Sequence, residues 1–151
     1  MLRLSKLTDY AVVVMTEMLR APVAVMTAGE LAARTGVPAP TVQKILKLLA
    51  RDGLMVSTRG ASGGYALARP AAHISVADII AAVDGPITLT DCVGGAEGCC
   101  DVEGLCPMRG NWDKVNRAVR AALEGVSLAD MALPSAPEAP AQPRQLAHLP
   151  G

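Results

Sequence analysis

Four cysteines, Cys92, Cys99, Cys100 and Cys106, fall within fifteen residues, and the other 136 positions of the chain hold none. Packing cysteines scatter through a core. Thiols gathered on one glycine-rich stretch, with Gly94, Gly95, Gly98 and Gly104 among them, suit a shared partner, either a metal centre or each other. The paired C-x2-C knuckles of structural zinc sites are absent. Six residues separate Cys92 from Cys99, none separate Cys99 from Cys100, and five separate Cys100 from Cys106, a wide spacing that suits an iron-sulfur cluster. A metal-free thiol switch, in which Cys99 and Cys100 or another pair oxidise, is the rival chemistry.

Composition narrows the compartment and the partner. The apolar run Ala11 to Met15 is too short, and too soon followed by Glu17, for a signal peptide or a membrane span, so a cytoplasmic protein with no membrane partner is expected. In that reducing setting a stable disulfide framework is disfavoured. Net charge is zero, yet residues 1–70 carry nine Lys/Arg against four Asp/Glu, while residues 71–106 carry none against six. The basic half predicts a polyanionic partner, and the acidic stretch, which contains every cysteine, would repel DNA and tolerate a cationic metal. With no Phe and only Tyr10, Tyr65 and Trp112, there is no aromatic platform for single-stranded nucleic acid.

The elements that must position these groups are mainly helical. Thr8 to Arg20 reads as a first helix with Thr8 as N-cap, ended by Ala21-Pro22. Thr27 and Glu30 form a capping box before a short helix that stops at Gly36. A third helix runs from about Pro40 to Arg51, with Gly53 as its stop. Val42, Ile45, Leu46 and Leu49 form its buried stripe; Lys44, Lys47 and Arg51 lie nearly opposite, flanked by Thr41 and Gln43. Two short helices with a tight turn, the second with a basic exposed face, match a helix-turn-helix reading the major groove of double-stranded DNA.

Leu54 to Ser57 and Tyr65 to Ala68 read as two strands joined by a glycine-rich tip, a β-hairpin wing in which Arg59, Gly60 and Ser62 face DNA. GASGG is not a nucleotide-phosphate loop, because a strand rather than a helix follows it and no Gly-Lys-Ser/Thr is present. Ser75 and Asp78 open another short helix, closed by Asp84-Gly85-Pro86. After the cysteine loop, Pro107 opens a longer helix whose Met108, Trp112, Val115, Val119 and Ala122 form a seam for pairing with another helix. His73 and His148 have no neighbours suggesting catalysis or ligation, and no nucleophile-base pair or cofactor fingerprint indicates an enzyme.

The expected organisation is a winged helix-turn-helix DNA-binding domain over 1–84, a cysteine-rich cluster-binding loop over 85–106, a dimerisation helix over 107–133, and a disordered Pro/Ala-rich tail over 134–151.

Several motifs together resemble the IscR/NsrR-type winged-helix regulators, bacterial transcription factors that sense iron-sulfur status, iron or nitric oxide through a cluster. They are Leu7-Thr8-Asp9-Tyr10-Ala11, Arg59 to Tyr65 in the wing, Asp78-Ile79-Ile80 with Asp84-Gly85, three loop cysteines, and Trp112 six residues after the last. The resemblance covers about residues 1–133. It implies a homodimer paired through the long helix, each half reading one side of a partly palindromic operator, and a 2Fe-2S or 4Fe-4S cluster. By family spacing the ligands are Cys92, Cys100 and Cys106, leaving Cys99 surplus. Some members add a histidine three residues after the last cysteine; here that position is Arg109, which cannot ligate. Others recruit an aspartate of the first helix, here Asp9, from the partner subunit. Asp91-Cys92, the run to Cys106-Pro107 and Gly110-Asn111-Trp112 are most similar to the branch that represses its own SUF-type iron-sulfur assembly operon. Pro38 and Pro40 depart from members with small polar residues at the start of the recognition helix, so the operator sequence does not carry over.

Overall fold

The computed structural model describes residues 2–21, 23–93, 105–108 and 110–134. Three helices form the first half, α1 (Lys6–Arg20), α2 (Ala28–Thr35) and α3 (Ala39–Arg51), followed by the antiparallel hairpin β1 (Met55–Thr58) and β2 (Gly64–Leu67). A 3-10 turn (Ala71–His73) leads to α4 (Val76–Asp84), and α5 (Asn111–Glu124) and α6 (Leu128–Ala132) complete the described chain.

The core fills the space between α1, α2 and α3 with aliphatic side chains. Val14, Met15, Leu31, Val42, Ile45, Leu46 and Leu49 are fully buried, joined by Ile74, Ile79 and Leu128 from later elements. Each such Leu, Ile or Val contributes roughly 1.5–3 kcal/mol relative to an exposed position. The stripe read from the sequence of α3 is the face that packs.

Capping residues set the helix starts, and one differs from expectation. Ser5 rather than Thr8 is the N-cap of α1, its Oγ accepting from the Thr8 N–H at 3.0 Å. Thr8 is instead fully buried, and its hydroxyl donates to Asp84 Oδ2 at 2.7 Å. The Thr27/Glu30 and Ser75/Asp78 capping boxes form as read, and a third, Ser127/Asp130, opens α6. In the first and third, the Glu30 and Asp130 carboxyls are held below their ordinary values, chiefly by the backbone N–H and then by the hydroxyl of Thr27 and Ser127.

Two further differences concern the C-terminal half. A single helix from Pro107 to 133 was expected, whereas α5 begins at Asn111, because Gly110 sits at φ 77°, a left-handed conformation that cannot continue back as helix. The chain then breaks again before α6, which returns to the winged-helix body. The Leu128 N–H donates to the Ile74 carbonyl at 2.7 Å, the Val76 N–H donates to the Val126 carbonyl at 2.9 Å, and α6 packs on α1. In place of one helix, this stretch thus holds α5 and a short helix, α6, that is tied to Ile74 and packs on α1. The expected disordered tail lies outside the described residues beyond position 134.

The hairpin is locked to the body by a third extended segment. Met26, just before α2, exchanges two backbone hydrogen bonds with Tyr65, at 2.9 and 2.7 Å. Gly64 permits this approach: at φ 155°, a Cβ there would sit 2.6 Å from the Met26 carbonyl oxygen.

Candidate DNA-reading face and cysteine loop

The exposed side of α3 is cationic. Gln43, Lys44, Lys47 and Arg51 line one shallow hollow of about 390 Å³ with Pro40 and Leu48, so four of the five helix residues read from sequence share a surface. Thr41 is half-buried beside them. Arg51 is also engaged within the chain, its Nε donating to Asp52 Oδ1 at 2.9 Å and its Nη2 to the Ala82 carbonyl at 3.2 Å. It therefore ties the end of α3 to α4, and the freely presented cations are Lys44 and Lys47. Arg59, Gly60 and Ser62 are exposed at the tip of the wing, where the Gly63 N–H donates to the Gly60 carbonyl at 3.0 Å.

The first of the expected cluster ligands lies on a tight turn. The Val93 N–H donates to the Thr90 carbonyl at 3.0 Å, and the Thr90 hydroxyl lies 3.2 Å from Cys92 Sγ. Cys92 and Cys106 are half-buried free thiols. Cys99 and Cys100 lie outside the described residues, as does Arg109. Asp9 is exposed in the first turn of α1. Among the described residues no three His, Cys, Asp or Glu side chains converge, so Asp9, Cys92 and Cys106 of one chain form no such group. As a donor set, half-buried free thiols beside an acidic segment fit a thiolate-held iron-sulfur group in kind.

The N-terminal flank of the loop is fastened by two polar side chains, Asp84 and Asn116, the second of which sequence reading did not single out. At its start, the Asp84 carboxylate accepts from Ser5 Oγ at 2.8 Å and Thr8 Oγ1 at 2.7 Å, joining the end of α4 to the turn of α1 that carries Asp9. Further on, Asn116 of α5 is 8% exposed and hydrogen-bonded to the backbone of Ile87 and Leu89. The available signal was a lone amide on a helix between Val115 and Val119. Beside this junction lies a cleft of about 660 Å³ between α4, the stretch 85–88 and α5, whose walls include Ala77, Ala81, Val93, Asn116 and Arg120.

α5 is only partly covered. It packs on α4 and leaves Trp112 and Val115 exposed at 43% and 44%, so the seam is not part of the core.

The sequence profile of Rrf2, the iron-dependent transcriptional regulators, matches residues 4–133. The chain belongs to the Rrf2 family. An HTH-type transcriptional regulator of Mycobacterium tuberculosis is 35% identical over 143 residues, covering 93% of this chain and 88% of that one. The HTH-type transcriptional regulator IscR of Xenorhabdus nematophila is 30% identical over 131 residues, covering 86% and 79%. Among solved structures, CymR, the global cysteine regulator of B. subtilis, superposes with a TM-score of 0.67 at 26% identity, covering 87% of this chain and 97% of that one. IscR of T. potens superposes with a TM-score of 0.63 at 27% identity, covering 86% and 85%. This Rrf2 protein is thus a winged-helix transcriptional regulator, a protein that acts on DNA and not an enzyme. No helix among its described residues is long and apolar enough to cross a membrane.

Proposed function

We propose that this chain is a dimeric repressor of iron-sulfur cluster assembly genes, tuned by an iron-sulfur cluster held by Cys92, Cys100 and Cys106. The observation that carries the reading is the mounting of the cysteine loop: free, half-buried thiols on a segment fastened to α1 through Asp84 and to α5 through Asn116. Asp9 of a second copy is the fourth ligand. That choice is supported by the exposure of Asp9 in the first turn of α1 and by the fixing of that turn through Thr8. When bound, a cluster supplies a redox- and iron-sensitive cross-link between these elements.

The chain's own residues do the rest. α3 presents Gln43, Lys44 and Lys47, with Thr41 at its start, to the major groove, and the wing brings Arg59, Gly60 and Ser62 to the adjacent backbone and minor groove. The exposed Trp112 and Val115 face of α5 pairs two copies, which spaces their recognition helices over the halves of an operator. A change in the loop then biases that spacing, and hence DNA affinity.

Anaerobic purification, iron and sulfide analysis, and absorption spectroscopy after reconstitution test the cluster. A protein that stays colourless, without iron or sulfide, overturns it. An iron- or nitric-oxide-responsive regulator is the variant of the same reading with a different signal. A metal-free thiol switch is the second reading, favoured by the free state of Cys92 and Cys106 and by the structural likeness to the cysteine regulator CymR. It requires a defined disulfide after peroxide treatment and no iron, both read by mass spectrometry.

A further inference from the structure

Thr8 and Asn116 are the buried polar side chains among the described residues, and Thr8 is accounted for by Asp84. Asn116 stands on a helix whose other residues are exposed or half-exposed. Its Oδ1 accepts from the Leu89 N–H at 3.1 Å, and its Nδ2 donates to the Ile87 carbonyl at 3.1 Å. One carboxamide thereby takes a donor and an acceptor from the same short stretch of backbone, which fixes both its distance from α5 and its direction. A carboxamide supplies the two roles from two separate atoms, Oδ1 and Nδ2, held in one plane. Among the described residues, no other side chain of α5 hydrogen-bonds beyond the helix and the turn before it.

The clamped stretch continues directly into the turn that carries Cys92. Leu89 adjoins Thr90, whose hydroxyl is 3.2 Å from Cys92 Sγ and whose carbonyl accepts from the Val93 N–H. Val93 is 5% exposed and shares the cleft wall with Asn116. A contiguous set of contacts thus runs from the Cys92 sulfur through the turn to α5, the helix with the uncovered apolar face.

We propose that Asn116 is the positioning residue that couples the cysteine loop to α5, so that an event at Cys92 shifts the helix and, through it, the DNA-reading halves. This rests on the sensor function proposed above. Removing the amide frees the loop from the helix: each half still folds and binds, and the signal no longer passes.

The test uses the full chain, wild type and Asn116→Leu, each cluster-free and after anaerobic reconstitution with ferrous iron and sulfide, on an operator selected by the wild type from random DNA. In the cluster-free wild type, the Leu89 amide exchanges about tenfold more slowly than that of Thr88, and Asn116→Leu removes this protection while core amides such as Ile45 keep theirs. The ratio of operator affinities between loaded and cluster-free forms falls towards one in Asn116→Leu, with cluster-free affinity within about threefold of wild type. Isosteric Asn116→Asp keeps the acceptor for Leu89 but not the donor for Ile87, and lies between; it serves if the leucine variant does not fold. Equal weakening of both forms with an unchanged ratio overturns the coupling alone and makes Asn116 a folding residue. A Leu89 amide as fast as Thr88 in the wild type overturns the clamp itself. A wild type that takes up no iron or sulfide overturns the sensor reading and the coupling with it.

Discussion

Alanine at Gly64 should detach the wing from the body of the domain. A Cβ at this position would lie 2.6 Å from the Met26 carbonyl oxygen, 2.7 Å from its carbon and 3.1 Å from the Thr27 nitrogen, all backbone atoms that no rotamer change moves. The φ of 155° adds conformational strain of about 1–3 kcal/mol for a residue with a side chain. Relieving the clash separates β2 from Met26 and gives up the two hydrogen bonds to Tyr65, each worth about 0.5–1.5 kcal/mol net. The sum is a loss of about 2–6 kcal/mol, measured by urea unfolding followed by circular dichroism. Gly29→Ala is the control: its Cβ meets only Thr27 Oγ1 at 4.0 Å on a helix, so the change is neutral or stabilising by up to about 1 kcal/mol. Because the wing carries Arg59, Gly64→Ala also weakens operator binding by more than its unfolded fraction explains. A loss below about 0.5 kcal/mol with unchanged binding refutes the reasoning, since the wing would then not be held through this contact.

Other perturbations separate the DNA-reading face from the scaffold. Lys44→Ala with Lys47→Ala removes two phosphate-reaching cations from each subunit, four per operator-bound dimer, so a plot of log affinity against log salt becomes shallower by roughly 3.6, while urea stability is unchanged. Thr8→Val, nearly isosteric, deletes the hydroxyl that donates to Asp84 at 2.7 Å and costs about 1–2 kcal/mol in the same unfolding assay. Glu30 and Asp130 have folded-state values lowered from 4.5 and 3.8 by their capping boxes. The stability they add is present above those ordinary values and is lost as pH falls through the lowered ones; urea midpoints between about pH 6 and pH 3 should fall less steeply in Glu30→Gln.

Local rules made most of the DNA-reading half legible. The α3 stripe, the Thr27/Glu30 and Ser75/Asp78 boxes and the glycine-tipped hairpin depend on neighbours a few residues apart, and all stand where the pattern puts them. Thr8 was misread as a cap because Thr8 and Ser5 are both acceptable there. Asp84, 76 residues away, decides between them by taking the Thr8 hydroxyl. Pro107 looked like a helix start, but the left-handed turn at Gly110 overrode it. Asn116 has no local pattern to mark it, since its partners are backbone atoms 27 and 29 residues earlier. The return of α6 to α1 was hidden for the same reason. Leu128 looks like any apolar residue after a cap until the Ile74 carbonyl it meets is known. Local spacing thus exposed the thiols and the cationic helix, while the long-range contacts that join them were not encoded in any short pattern.

The measurement that most directly tests the central claim is operator footprinting with cluster-loaded and cluster-free protein under anaerobic conditions, alongside Cys100→Ser and Cys99→Ser. The account predicts iron and sulfide in the reconstituted protein and operator affinities that differ between the two forms by about tenfold or more. Cys100→Ser should lose the cluster and the difference, while Cys99→Ser should keep both. Identical protection by both forms, or a protein that binds no cluster, would contradict it.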